Sequence, residues 1–243
     1  MHTTQRNPSP WELRKLTWKQ LLLPLLLFAL AMPVWADDKA KDEETLKNAN
    51  TVLTDMLNGN TVPADVLARA NCILILPSVK KFGFGVGGSG GRGPMSCRGG
   101  MDFTGKWSAP AMYSLSGASV GLQVGGSATD YILLIMSQKA VDALLAGKIK
   151  LGNEATAAAG PSGATAASTT GDADIFTYAK SSGLFAGASL GSATLDPDLN
   201  ANKRLYGRDI SVKEIMDASK VKPTPGGEPL VSLLDAKAGT HKK

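Results

Sequence analysis

Side chains able to do acid–base, nucleophilic or metal chemistry are scarce in this 243-residue chain, and their placement narrows its chemistry quickly. The two histidines, His2 and His241, stand at opposite ends. A Ser–His–Asp or Cys–His nucleophile needs an imidazole beside it, and the usual His-based metal sites need several. The body of the chain offers none. Cys72 and Cys97 are the only cysteines, too few for a cysteine-rich zinc site. Gly83-x-Gly85-x-x-Gly88 has the dinucleotide-binding spacing, but Ser89-Gly90-Gly91-Arg92-Gly93-Pro94 follows it. That run cannot open the helix whose N-terminus holds a pyrophosphate. Gly105-Lys106 leads into Trp107 instead of Ser or Thr, so a P-loop is missing as well. These residues predict a non-enzymatic protein that uses no cofactor and no metal.

The positive signal is electrostatic. Val66 to Met101 contains no acidic residue, yet it carries Arg69, Lys80, Lys81, Arg92 and Arg98 among glycines and beside Phe82 and Phe84. A basic, backbone-exposing surface of this kind suits phosphate-bearing headgroups. The candidate lipid-binding residues are therefore Lys80, Lys81, Arg92 and Arg98, with Phe82 and Phe84 adding apolar contact. Lys203, Arg204 and Arg208 form a second-choice basic patch. The alternative is a solvated strand edge, which basic residues commonly protect from aggregation. The formal net charge of +5 falls to +2 without residues 1–36, so global charge gives no argument for nucleic acid.

Residues 1–36 have the layout of a cleavable signal peptide. Arg6, Arg14, Lys15 and Lys19 precede an apolar run from Leu21 to Met32, and Val34-Trp35-Ala36 precedes Asp37. The apolar stretch is shorter than the roughly 20 residues that span a bilayer core. The expected location is periplasmic or secreted, after cleavage. In such an oxidising compartment Cys72 and Cys97 are predicted to pair, two separate buried thiols being the alternative.

The elements that must hold these residues follow from periodicity. Leu46, Ala49, Leu53, Met56 and Leu57 recur at helical spacing, so residues 37–62 are read as an N-terminal amphipathic helix. Its mixed, partly acidic polar face, Asp42 included, favours packing on the core over lipid insertion. Short Gly-, Ser- and Pro-punctuated apolar runs from Cys72 onward predict strands. Ser137 can cap a helix that stops at Gly147, Asp196-Pro197 can open one that ends at Tyr206-Gly207, and Ser211–Glu214 is a capping box. Residues 208–220 are read as a C-terminal helix. Residues 221–243, rich in Pro and Gly at their start, are read as a linker and flexible tail. The small-residue stretch 155–170 is compatible with strand or loop.

Three segments share the pattern G-x-x-x-G-[GA]-S, starting at Gly83, Gly121 and Gly183. Taken as strands, they would place Phe84, Val86, Leu122, Val124, Leu184 and Ala186 in the core and glycine on the other face. The predicted fold class is α+β: a curved antiparallel sheet of Gly-rich strands, a partly closed barrel or sandwich, with packed helices.

Across residues 63–207 the chain resembles the SYLF domain family. Ala70-Asn71-Cys72-Ile73-Leu74-Ile75-Leu76-Pro77-Ser78, Gly83 to Gly88 and Trp107-Ser108-Ala109-Pro110-Ala111 carry the resemblance. So do Gly121 to Gly126, Gly183 to Gly187 and Asn202-Lys203-Arg204-Leu205-Tyr206-Gly207. The family's bacterial members are described as lipid-binding and its yeast members as actin-binding. The resemblance implies a non-enzymatic module that recognises acidic phospholipid headgroups at a membrane surface. Because the chain carries a leader and no SH3 or FYVE domain, actin is expected to be an unlikely partner. A cell-envelope assembly module, self-associating as a homo-oligomer through its glycine faces, is the alternative reading.

Overall fold

Two strings of consecutive apolar residues, Cys72–Leu76 and Tyr131–Ile135, lie side by side as antiparallel neighbours, and all ten residues are buried. Successive strand side chains point to opposite faces, so an uninterrupted apolar strand needs a covering layer on each side. The computed structural model supplies both layers. It describes residues 35–59, 62–84, 86–100, 102–120, 125–161, 173–181, 184–188, 190, 193–239 and 241. The chain divides at Asp37 into two units, and the account below concerns Asp38–Lys243 and the first turn of the helix that leads into it.

In chain order the elements are α1 (Trp35–Asn58), α2 (Ala64–Arg69), β1 (Cys72–Phe84), β2 (Val86–Cys97), β3 (Ala111–Val120) and β4 (Gly125–Ile135). They continue with α3 (Gln138–Ala146), β5 (Ile149–Lys150), β6 (Ala157–Ala159), β7 (Ile175–Ser181), β8 (Leu184–Gly187) and β9 (Thr194–Pro197). Helices α4 (Leu199–Tyr206), α5 (Val212–Ile215) and α6 (Glu228–Lys237) complete the chain. One curved sheet runs β5-β9-β3-β2-β1-β4-β7-β6, with β8 also on β7. Every pairing is antiparallel except β6 with β7. The α+β expectation with a curved sheet holds, and the parallel pair makes the sheet mixed.

Ile73, Ile75, Ile132 and Leu134 pack with Leu53 and Met56 of α1, Val66 of α2, and Leu230 and Leu234 of α6. On the other face Leu74, Leu76, Leu133 and Ile135 pack with Val141 and Leu144 of α3 and Ile215 of α5. Leu76 and Val79 both belong to this second cluster although three positions separate them. The β1–β4 register slips between them, at Pro77-Ser78. Ser78 has a positive φ of 53°, and its N–H donates to Asp130 Oδ1 at 2.9 Å. This bulge exchanges the faces for the rest of β1. Opposite it, Gly93 of β2 passes so close that a Cβ there would stand 1.9 Å from the Ile75 carbonyl oxygen. Only glycine permits that approach.

Helix ends follow their local chemistry. Ser137 accepts from the Ala140 N–H, Asp198 from Ala201 and Ser211 from Glu214, while Gly207 closes α4 in the left-handed region at φ 71°.

Several sequence expectations need correction. The 208–220 helix is only the single turn of α5 followed by turns. Residues 221–243 are not a flexible tail over their described length. They contain α6, which opens with Pro229 in its first turn and buries Leu230, Val231 and Leu234. Gly226 serves close contact, since a Cβ there would meet the Glu43 backbone oxygen at 2.8 Å. The glycine motifs are strand over much of their described length: Gly83-Phe84 end β1, Gly87-Gly88-Ser89 pair within β2, Gly125-Gly126-Ser127 open β4 and Leu184–Gly187 make up β8. The side chains of Phe84, Val86, Leu122, Val124 and Leu184 lie outside the described residues, and Ala186 is exposed, not core. Within 155–170, residues 157–159 form β6. The leader read over residues 1–36 also lies outside the described residues, except for Trp35 and Ala36 at the start of α1.

Candidate functional site

The acid-free stretch Val66–Met101 takes in the whole β1–β2 hairpin, and its basic side chains differ according to what covers them. Cys72 and Cys97 are direct cross-strand partners and form a disulfide with S–S 2.02 Å. The predicted pairing is thus present, closing a separation of 25 residues at the covered end of the hairpin.

Arg98, next to this bond, is only 5% exposed. Its Nε donates to the Ala70 carbonyl at 3.2 Å, and its terminal nitrogens donate to Gly239 and Ala238 at 3.0 Å each. Its guanidinium stacks 4.6 Å from the Trp107 ring centroid. Burial lowers the Arg98 pKa from its ordinary value, and Asp235 acts in the opposite direction. A cation donating to the last carbonyls of α6 satisfies orphan acceptors and matches the helix dipole. Nearby, Asp235 accepts from the Trp107 backbone N–H at 3.0 Å, and His241 Nε2 lies 3.0 Å from Asn71 Oδ1. Arg98 is a structural clamp on the C-terminal segment.

Arg92, from the middle of β2, is committed as well. It forms an ion pair with Asp42 of α1, whose side chain is fully buried, and stands 3.9 Å from Asp198. Arg204 of α4 reaches the same carboxylate, with Nε donating to Oδ2 at 2.7 Å. Two guanidiniums on one carboxylate satisfy a charge that would otherwise be costly to bury. Beside it Glu43 accepts from the Gly226 N–H at 2.7 Å and from the Thr224 hydroxyl at 3.1 Å. The start of α1 is therefore fastened to β2, α4 and the turn before α6.

The second-choice patch is equally occupied. Lys203 pairs with Asp209 at 2.9 Å, Arg208 with Glu214 at 2.5 Å, and Arg204 with Asp42. The glutamate raises the Arg208 pKa, chiefly through the hydrogen bond between them.

That leaves the distal end of the hairpin. Lys80, Lys81 and Phe82 of β1 face Gly90, Ser89 and Gly88 of β2 on one side and Ala128, Ser127 and Gly126 of β4 on the other. Beyond the Ser78 bulge, Lys80 and Phe82 share one face and Lys81 the other. Lys80 is exposed, and Lys81 is half-buried with its ammonium 5.2 Å from the Tyr131 ring centroid. Phe82 is 64% exposed, and its ring lies over Gly88, where a Cβ would come within 2.9 Å. Neither lysine has an ion-pair partner among the described residues. The six proposed contacts therefore do not form one surface: Arg92 and Arg98 face inward, the Phe84 side chain lies outside the described residues, and Lys80, Lys81 and Phe82 remain together.

The residues that sequence reasoning missed are Asp42, Asp198, Glu43 and Asp235. For Asp42 a signal existed. Positions 42, 46, 49, 53 and 56 continue one helical stripe, and an acid on a stripe that is otherwise apolar calls for a buried cation.

Comparison with known proteins adds the family. A family model described as "Ysc84: Las17-binding protein actin regulator" matches residues 116–237. LAS seventeen-binding protein 3 of Saccharomyces cerevisiae is 33% identical over 209 residues, covering 81% of this chain and 44% of that protein. The chain belongs to the Ysc84 family. Protein YSC84 of the same yeast is 35% identical over 205 residues, covering 79% of this chain and 43% of its own length. The human SH3 domain-containing YSC84-like protein 1 is 35% identical over 179 residues, covering 72% and 51% respectively. The chain thus spans about half the length of these Ysc84 relatives.

The match confirms the SYLF resemblance and corrects the expected partners. The sequence reading disfavours actin and favours acidic phospholipids. The family description names a Las17-binding actin regulator, and one yeast relative is named LAS seventeen-binding protein 3. The family match rests on the shared domain, which the expected leader leaves unchanged, so actin is not excluded as a partner. The names carried by the family are those of binding and regulatory proteins.

Proposed function

We propose that this chain is a non-enzymatic protein-binding module, that the distal end of the β1–β2 hairpin is its contact surface, and that its partner presents acidic groups around an apolar recess. The actin-regulatory proteins for which its relatives are named are the first partners to test. The observation that carries this reading is Phe82, 64% exposed beside Lys80, which has no ion-pair partner among the described residues, on strands whose neighbouring positions are glycine, serine and alanine. An aromatic side chain standing clear of small residues is the kind of anchor that dominates protein interfaces. Flanking cations would steer an acidic partner toward it.

The test is co-sedimentation of the full chain with filamentous actin and, separately, capture by immobilised LAS17. The parent is compared with Phe82→Ser and with Lys80→Glu/Lys81→Glu. Binding that each variant reduces about tenfold or more, at an unchanged thermal midpoint, supports the proposal. Parent and variants binding alike would overturn it. Retention on anionic vesicles with no affinity for either protein would also overturn it, returning the hairpin to a headgroup contact.

Compartment is a separate proposal: the binding assay above tests the capacity of the shared domain, and an exported chain would meet a different partner in its own compartment. The leader over residues 1–36 and the buried Cys72–Cys97 bond support export to an oxidising space. Thiol labelling of the chain from fractionated cells, unfolded in denaturant without reductant, should find both cysteines blocked, and labelled thiols would place the protein in a reducing compartment.

A further inference from the structure

We propose that the groove between α3, α5 and the turn joining Arg98 to Trp107 binds a small organic anion with an apolar body. The inference is independent of the hairpin surface, since no residue is shared between them.

The groove, open to solvent, has a volume of about 900 Å³, within the range of small-molecule sites. Phe103, Val141, Leu145, Met216 and Ala218 make its lining largely apolar. The turn that contributes Phe103 is held in shape before any ligand arrives. The Gly99 N–H donates to the Lys106 carbonyl at 2.8 Å, and the Gly105 N–H donates to the Gly99 carbonyl at 2.8 Å. Gly105 approaches Gly99 so closely that a Cβ would stand 2.8 Å from its oxygen. Phe103 itself has φ 58°, a left-handed conformation that bulky side chains rarely adopt. Surrounding structure that maintains such a conformation is characteristic of ligand sites.

Charge selects the ligand. Lys106, Lys213 and Lys220 line the groove together with Glu214 and Asp217. The two acids are already matched, Glu214 by Arg208 at 2.5 Å and Asp217 by Lys220 at 2.8 Å. Hydrogen bonds from Lys220 and Ser219 bring the Asp217 pKa down to about 2, so it stays ionised and paired. Lys106 and Lys213 have no ion-pair partner among the described residues and leave the rim positive. An apolar cleft with two uncompensated ammonium groups favours a ligand with one hydrophobic body and one carboxylate or sulfonate.

Two dyes of the same shape test this: 8-anilinonaphthalene-1-sulfonate and its uncharged counterpart N-phenyl-1-naphthylamine, each titrated into the full chain by fluorescence. The parent is expected to bind the sulfonate saturably at one site. Lys106→Glu/Lys213→Glu, both at surface positions, should weaken the sulfonate about tenfold or more and leave the neutral dye unchanged. Ala218→Trp, at a half-buried position, should fill the cleft and remove both dyes at an unaltered thermal midpoint. If Ala218→Trp unfolds, the charge-reversal arm decides alone. The assignment fails if the charge-reversed chain binds the sulfonate as the parent does, or if a folded Ala218→Trp chain still binds both dyes.

Discussion

At the covered end of the β1–β2 hairpin, Arg98 donates to three carbonyls beneath a C-terminal helix and Arg92 meets a buried carboxylate. At the open end of the same hairpin, Lys80 and Phe82 stand in solvent above glycine. Both ends come from one acid-free stretch of sequence. What separates them is the layer above the strands: α1 and α6 cover the first end, and no described helix packs on Lys80–Phe82. A basic residue beneath a helix must be matched and becomes a fastener, whereas one left in water keeps its charge available for a partner.

The sharpest way to break this contrast is Asp42→Ala. It leaves Arg92 and Arg204 without their carboxylate, and denaturant unfolding should show a loss of about 3–5 kcal/mol. Replacing all three by Leu at 42 and Met at 92 and 204 should recover most of that loss, because apolar groups of similar volume need no partner. Cys72→Ser/Cys97→Ser comes next, with a loss of about 3 kcal/mol from freeing the closed loop in the unfolded chain. Arg98→Ala should lose about 2 kcal/mol, and amide hydrogen exchange should rise selectively over α6.

Asp174 sharpens the comparison through pH. Burial pushes its pKa up, but hydrogen bonds from Ser137 and Thr156, with Lys139 nearby, outweigh burial and hold it below the ordinary 3.8. A folded-state pKa below the unfolded one stabilises the protein above the unfolded value, and that stabilisation is lost as pH falls through the folded one. Asp174→Asn should therefore be less stable than the parent near neutral pH, with the gap closing in acid as pH falls below the ordinary 3.8 and through the lower folded value. The smallest effect belongs to the open end. Lys80→Glu/Lys81→Glu should shift unfolding by less than about 0.5 kcal/mol while changing what the hairpin binds.

Much of this architecture was legible in the residue string because it is local. The apolar runs at 72–76 and 131–135, the caps at Ser137 and Ser211 and the stripe on α1 each follow from a period or a side-chain bond within a few residues. The cysteine pair followed from composition and compartment. The glycine motifs do contain strand, at Gly87–Ser89 and Leu184–Gly187, but which strand face is covered depends on neighbours outside the motif, and Ala186 is exposed. The C-terminal helix was missed although Leu230, Val231 and Leu234 already had helical spacing, because the Pro and Gly preceding them resemble a linker.

By itself the sequence determined the apolar strands at 72–76 and 131–135, the buried stripe of α1, that Cys72 and Cys97 could pair, and where acids are missing. Only the tertiary structure decided which of those cations face outward. Position 42 lies 50 residues from Arg92 and 162 from Arg204, and Arg98 lies 140 from the carbonyl of Ala238. Charge is fixed by residue type. Availability is fixed by what folds over the residue, and that covering layer comes from the far ends of the chain.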